Sequence, residues 1–282
     1  MSLYLILNIT SFIVPFAYSF EKKMRFIKWW KSVFLSLFIV AFFFIIWDII
    51  FTKMGVWGFN PYYLSGIYFF NLPLEECLFF ILIPYCCIFT YHVVWTLSKN
   101  NSCKPMRKTT YTFSLVLFIC GMVCVGKVYT FYTFIGLSIV FLVAPYVVNM
   151  RVFFKTFIIL IIPFLIVNGI LTGSLIEDQI VWYNNENNLG IRLFTIPIED
   201  IFYNWISGIG FLFLSLFVFR FLDDAGSVHF DRKRHPERYY LNANNYKRFL
   251  IIKSQHSLSN TTKTFFTFYL DTYFVNNFDT FS

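Results

Sequence analysis

Two short stretches place adjacent acids at the mouths of apolar runs: Asn71-Leu72-Pro73-Leu74-Glu75-Glu76 and Thr195-Ile196-Pro197-Ile198-Glu199-Asp200. A carboxylate inside a membrane span costs about 2.5 to 3.5 kcal/mol at mid-depth and less near the ends, so such residues need a reason. Helix capping supplies part of one. Each proline suits a first helical turn, and acids just after it gain about 0.3 to 1 kcal/mol from the helix dipole. Capping accounts well for one Pro-x-Glu-acid element and less well for two with the same spacing. A carboxyl held among apolar walls, or beside another carboxyl, keeps its proton at neutral pH and can serve as a general acid. Adjacent acids project about 100° apart on a helix, so one of each pair is expected to face the interior and the other a neighbouring helix or headgroups. Asp48, near the end of an earlier apolar run, approaches the same side. Trp47, Trp57, Tyr62, Tyr63, Tyr85, Trp182, Tyr183, Tyr203 and Trp205 offer electron-rich faces that stabilise a cation, although an interfacial aromatic belt accounts for any one of them singly.

The elements that must position these acids are membrane helices. The chain has 282 residues, 58% hydrophobic and 13% charged, against about 25% charged in an ordinary soluble domain. Seven apolar runs approach the roughly 20 residues that cross the hydrocarbon layer: approximately 2 to 20, 33 to 51, 74 to 96, 110 to 125, 128 to 148, 153 to 171 and 194 to 219. The first has no small-residue cleavage site after it and reads as a retained span. Basic residues collect in alternate loops: Lys22, Lys23, Arg25, Lys28 and Lys31; Lys99, Lys104, Arg107 and Lys108; Arg151 and Lys155; then Arg220, Arg232, Lys233, Arg234 and Arg238. The other loops hold only Lys53, Lys127 and Arg192. This asymmetry places the N-terminus outside, the C-terminus in the cytoplasm and both acid pairs at the outer face of a multi-pass inner-membrane protein. It also accounts for the net charge of +8 without nucleic acid. Cys77, Cys86, Cys87, Cys120 and Cys124 fall in apolar runs and Cys103 in a basic loop, with no Cys-x-x-Cys pair to bind metal; Cys120 and Cys124 read as buried small hydrophobes.

The two acid stretches belong to an internal repeat. Gly66 to Glu76 and Gly190 to Asp200 share the pattern G-I-x5-P-[LI]-E-[ED] without a gap. Upstream, Asp48 to Thr52 matches Asn168 to Thr172, and Pro15 followed by Met24-Arg25 answers Pro145 followed by Met150-Arg151. The expected architecture is all-α: residues 1–97 form one three-helix repeat, 98–127 a basic loop and linking helix, 128–220 a second, parallel repeat, and 221–282 a basic cytoplasmic tail. Sites in such proteins tend to lie at the interface of the repeats. A nicotinamide or flavin fingerprint is missing, since Gly208-Ile209-Gly210 lacks the third glycine. A prenyltransferase would want two Asp-rich sites where only Asp223-Asp224 stands out, and a retinal protein would want a lysine within 194–219, which has none. No cofactor or metal is implied.

The run from Trp47 to Cys86, together with the second Ile196-Pro197-Ile198-Glu199-Asp200, resembles the membrane-integral lycopene cyclases of the heterodimeric or fused bacterial and fungal type, over about residues 1 to 220. The resemblance implies cyclisation of the ends of a lipid-dissolved C40 polyene, lycopene, to β-rings, giving γ- and β-carotene without net redox change. The pathway it implies is protonation of the terminal double bond, attack of the neighbouring alkene on the tertiary cation, and loss of a ring proton. Glu75, Glu76, Glu199 and Asp200 are then the acid and base candidates, supported by Asp48, and Trp47, Trp57, Tyr62, Tyr85 and Tyr203 the residues lining or stabilising the cation. A homodimer or a complex with other carotenoid enzymes fits the same class. Two departures stand out: Asn168 replaces the acid of Asp48 in the second repeat, and the chain is too short for the prenyl-synthase domain of the fungal fusions. Alternatives are another carotenoid end-group enzyme such as a hydratase, a proton- or cation-coupled transporter, or an assembly subunit.

Overall fold

Long runs of Phe, Ile, Leu and Val satisfy their backbone groups internally when no water is at hand, and helix is the form that does so. The computed structural model describes residues 2–98, 106–146, 148–206, 208 and 210, and these are mostly helical. The helices are α1 (Leu3–Tyr18), α2 (Trp30–Lys53), α3 (Leu74–Leu97), α4 (Arg107–Val123), α5 (Val128–Val143), α6 (Met150–Leu171) and α7 (198–206). Four stretches among the described residues are long and apolar enough to cross a membrane: Phe26–Lys53, Leu74–Leu97, Val128–Tyr146 and Met150–Leu171. α1 is apolar but shorter, and α4 opens with Arg107-Lys108. The outward faces are greasy: Phe38, Phe42, Phe43, Ile158 and Ile162 are all exposed, as suits lipid.

α3 is the hub, packing on α1, α2 and α6, while α4 packs on α5. Polar residues hold helices together where they touch. Ser114 and Ser138 join α4 to α5, each hydroxyl donating to the other's carbonyl at 2.8 and 2.9 Å. One end of the bundle carries short antiparallel ladders: β1 (Trp57–Phe59) on β4 (Val181–Tyr183), β2 (Tyr68–Phe69) on β3 (Leu72–Pro73), and β5 (Arg192–Leu193) on β6 (Ile196–Pro197). In the first ladder Gly58 faces Trp182.

Several expectations are corrected. The seventh run opens as hairpin β5–β6, and helix begins only at 198, because the proline that ends β6 has no N–H to continue a ladder. Pro73 likewise stands outside the first turn of α3, in extended backbone with φ −66° and ψ 148° and with no side-chain hydrogen bond to the helix, so neither proline lies within the first turn expected of it. Pro15 lies within α1 and Pro145 in a 3-10 turn after α5, while Met24 precedes α2 and Met150 opens α6, so that portion of the matched pattern does not occupy equivalent places. Cys120 is exposed and Cys124 half-buried, since α4 has one face against α5 and another outside the bundle. Cys103, Lys99, Lys104, residues 211–219 of the seventh run, Asp223-Asp224 and the tail at 221–282 lie outside the described residues.

Candidate active site

Two hairpins set the acids. At the tips Phe70 and Phe194 take left-handed backbone, φ 56° and 57°, a strain of about 1 to 3 kcal/mol for non-glycine residues that the surrounding contacts must offset. Each hairpin closes onto its helix through the same bond: Leu74 N–H to Ile67 C=O at 2.9 Å, and Ile198 N–H to Ile191 C=O at 3.0 Å. The first acid of each pair then reaches back along the chain. Glu75 Oε1 accepts from Ser65 N–H at 2.6 Å, and Glu199 Oε1 from Leu189 N–H at 2.8 Å and the Thr130 hydroxyl at 2.6 Å. These two carboxylates tie the incoming loops to the helix starts.

The second acid of each pair meets a tyrosine from the first helix of its half. Tyr4 donates to Glu76 Oε2 at 2.5 Å and Tyr129 to Asp200 Oδ1 at 2.6 Å. Asp200 Oδ2 also accepts from Tyr183 and from Asn168 Nδ2, both at 2.9 Å. Asp48 Oδ1 accepts from the Trp57 indole N–H and a longer contact from Thr52 at 3.4 Å. Its Oδ2 is buried with no hydrogen-bond partner among the described residues. Asp48, Glu76 and Asp200 are all buried, and Glu76 is within electrostatic reach of both Asp48 and Asp200. None of these hydrogen bonds comes from a lysine or arginine. Both members of each acid pair are buried, so neither faces headgroups; of the two directions expected for the other acid, Glu199 takes the neighbouring helix, through Thr130 of α5, while Glu75 turns into its loop anchor.

Rings close the space around these three acids. Trp57 lies 5.1 Å from Tyr129 edge-on, and Tyr129 stacks on Tyr183 at 6.0 Å. Trp47 stacks on Phe51 at 4.4 Å, and Phe51 contacts Trp57. Tyr203 sits between Phe44 and Tyr129. Its hydroxyl is buried without a hydrogen-bond partner among the described residues, within electrostatic reach of all three acids. Burial and the Asp200 charge hold the Tyr183 hydroxyl well above its usual range, so it stays protonated and donates.

Two expected lining residues lie elsewhere. Tyr62 is 85% exposed. Tyr85 is about two and a half turns further along α3 than Glu76, bonded to the Ser19 hydroxyl at 2.6 Å among Phe12, Phe26 and Phe34. Trp205 likewise belongs to the packed core, against Phe141 and Phe157, and Trp182 is partly exposed on the edge of its ladder. Tyr63 packs with the α1–α6 core cluster, its hydroxyl accepting from Asp178 N–H at 3.4 Å. The phenols of Tyr4 and Tyr129 were not foreseen. Each tyrosine stands near the start of its helix, but the spacing of the matched acids carries Tyr4 to Val128 and not to Tyr129, so no pattern in the sequence pairs them.

No curated protein and no solved structure compared with the chain matches it. A family model described as lycopene cyclase matches residues 1–94 and 126–222, which includes every acid of the site. Matched over most of its length, with those acids inside the matched segments, the chain belongs to the lycopene cyclase family.

Proposed function

We propose that this protein is a lycopene β-cyclase, closing the ends of lycopene to β-rings by protonation and proton loss, with no redox change and no cofactor. The observation that carries this reading is the convergence of Asp48, Glu76 and Asp200, buried among Trp57, Tyr129, Tyr183 and Tyr203 and without a Lys or Arg partner among the described residues. Acid groups in a dry aromatic setting suit chemistry that starts by protonating an alkene and passes through a carbocation. Glu75 and Glu199 anchor loops and position their neighbours. An exposed apolar exterior suits a substrate that arrives through lipid.

The proposed architecture is two parallel three-helix repeats joined by α4, seven spans in all, with the site at the outer face, the N-terminus outside and the C-terminus cytoplasmic. Paired hydrogen bonds support the repeat. Asn60 N–H to Ile180 C=O and Asn184 N–H to Val56 C=O, both 2.9 Å, exchange partners under the same shift that carries Glu75 to Glu199. The β1–β4 ladder maps onto itself under that shift, with Gly58 facing its own counterpart, Trp182. That is the arrangement expected around a twofold axis between the halves.

The test is expression in a lycopene-accumulating bacterial host. The cyclase reading requires conversion to monocyclic or bicyclic product on chromatography. Unchanged lycopene, with the full chain confirmed in the membrane, would rule the reading out, and a hydroxylated acyclic product would identify a hydratase using the same cation.

A further inference from the structure

We infer that the two halves divide the reaction: Asp48 with Glu76 donates the proton that starts ring closure, and Asp200 is the base that removes the ring proton. This rests on the cyclase reading and assigns roles within it.

The division follows from hydrogen-bond supply. Asp200 receives three donors on its two oxygens: Tyr129 on Oδ1, Tyr183 and Asn168 on Oδ2. The amide Nδ2 of Asn168 can only donate, so Oδ2 must accept, and this arrangement suits a carboxylate. At the place that Asn168 holds in the second half, the first half has Asp48, which brings a second carboxyl and no N–H. Glu76 takes one donor, Tyr4, and Asp48 takes its donors on Oδ1 alone, leaving the buried Oδ2 without a partner among the described residues. Two carboxyls within electrostatic reach in a buried site, with no cationic partner among the described residues, disfavour carrying two charges, so one of them keeps its proton. Among the described residues three buried acid oxygens lack a partner, on Asp48, Glu75 and Glu199; the latter two belong to carboxylates held by loop N–H groups, which favours their charged form, and Asp48 Oδ2 is the one where a proton can sit and from which it can leave. Trp57, which holds Asp48, touches Tyr129, which holds Asp200, so the donor and the base flank one aromatic surface.

The step balances. The Asp48–Glu76 pair gives its proton to the terminal alkene carbon, forming a C–H bond and a tertiary cation. The neighbouring alkene attacks that cation, forming the ring C–C bond. An adjacent C–H bond then breaks, its electrons restore a double bond, and the proton passes to Asp200. No electrons are gained or lost.

The experiment uses the full chain in lipid vesicles loaded with lycopene, in D2O. Wild type should form rings that each carry one deuterium; failure here counts against the cyclase reading, not the division. Given an active wild type, Asp48→Asn and Glu76→Gln should each lower both ring formation and deuterium entry into the recovered polyene by at least about 100-fold. Asp200→Asn should lower β-ring formation comparably while deuterium still enters the polyene, because protonation no longer leads to proton loss at the ring. Tyr183→Phe, which keeps the ring and removes one donor, should lower β-ring formation about tenfold with deuterium entry intact. Deuterium entry falling in step with ring formation in both second-half variants, or persisting in either first-half variant, would overturn the division.

Discussion

At the residue scale, the second acid of each Pro-x-Glu-acid element is separated from the first by what it touches. Glu75 and Glu199 accept backbone N–H groups from loops, a task a glutamine oxygen can also perform. Glu75→Gln and Glu199→Gln are therefore expected to keep more than about a tenth of wild-type conversion, whereas Glu76→Gln should lose at least about 100-fold. Product per unit of membrane-inserted protein in the lycopene host measures this, and equal losses at Glu75 and Glu76 would contradict the separation. Tyr4→Phe keeps the ring against Phe79 and removes the donor to Glu76. Hydrogen bonds to charged groups contribute about 1.5 to 3 kcal/mol, so a fall of about tenfold or more is expected, with unchanged expression. The acids themselves were legible in the sequence because carboxylates in apolar runs are costly and these recur at one spacing. Tyr85 was misplaced because an aromatic side chain reads the same at an interface and deep in a core. Its hydroxyl is satisfied by Ser19 rather than by an acid.

At the scale of elements, the strands that join the halves carry the geometry. A Cβ at Gly58 would overlap the Trp182 indole, and the neighbouring Trp57 and Tyr183 hold Asp48 and Asp200. Gly58→Ala is thus expected to reduce conversion about tenfold by shifting both acid supports, and adding Trp182→Ala should restore most of it. No recovery in the double variant would contradict this steric account. The helices were legible from their apolar length, since bilayer thickness leaves little choice of form. The strands were not: β2, β3, β5 and β6 are two residues each, too short for alternation to show. The β1–β4 pairing joins segments far apart in the chain, and no local pattern announces such a partner.

At the scale of the whole molecule, the alternation of basic loops and the matched hydrogen bonds describe a bundle with its acids gathered at one end. Reporter domains fused after residue 98 and after residue 185 should report opposite faces, cytoplasmic for the first and external for the second; the same face for both would undo the proposed topology. The proposed repeat rests, in the sequence, on the stretches where spacing is kept, from Gly66 to Glu76 and Gly190 to Asp200. In the first helices no motif links Tyr4 to Tyr129, and what the two share is a hydrogen bond to the second acid, Glu76 and Asp200 respectively. The most direct test of the central claim is product mass from the full chain in lycopene-loaded vesicles in D2O, without added nicotinamide or flavin. Proton-initiated, redox-neutral closure predicts a product isomeric with lycopene that carries one solvent deuterium for each ring formed. A ring product without deuterium, or one differing from lycopene by two hydrogens, would contradict it.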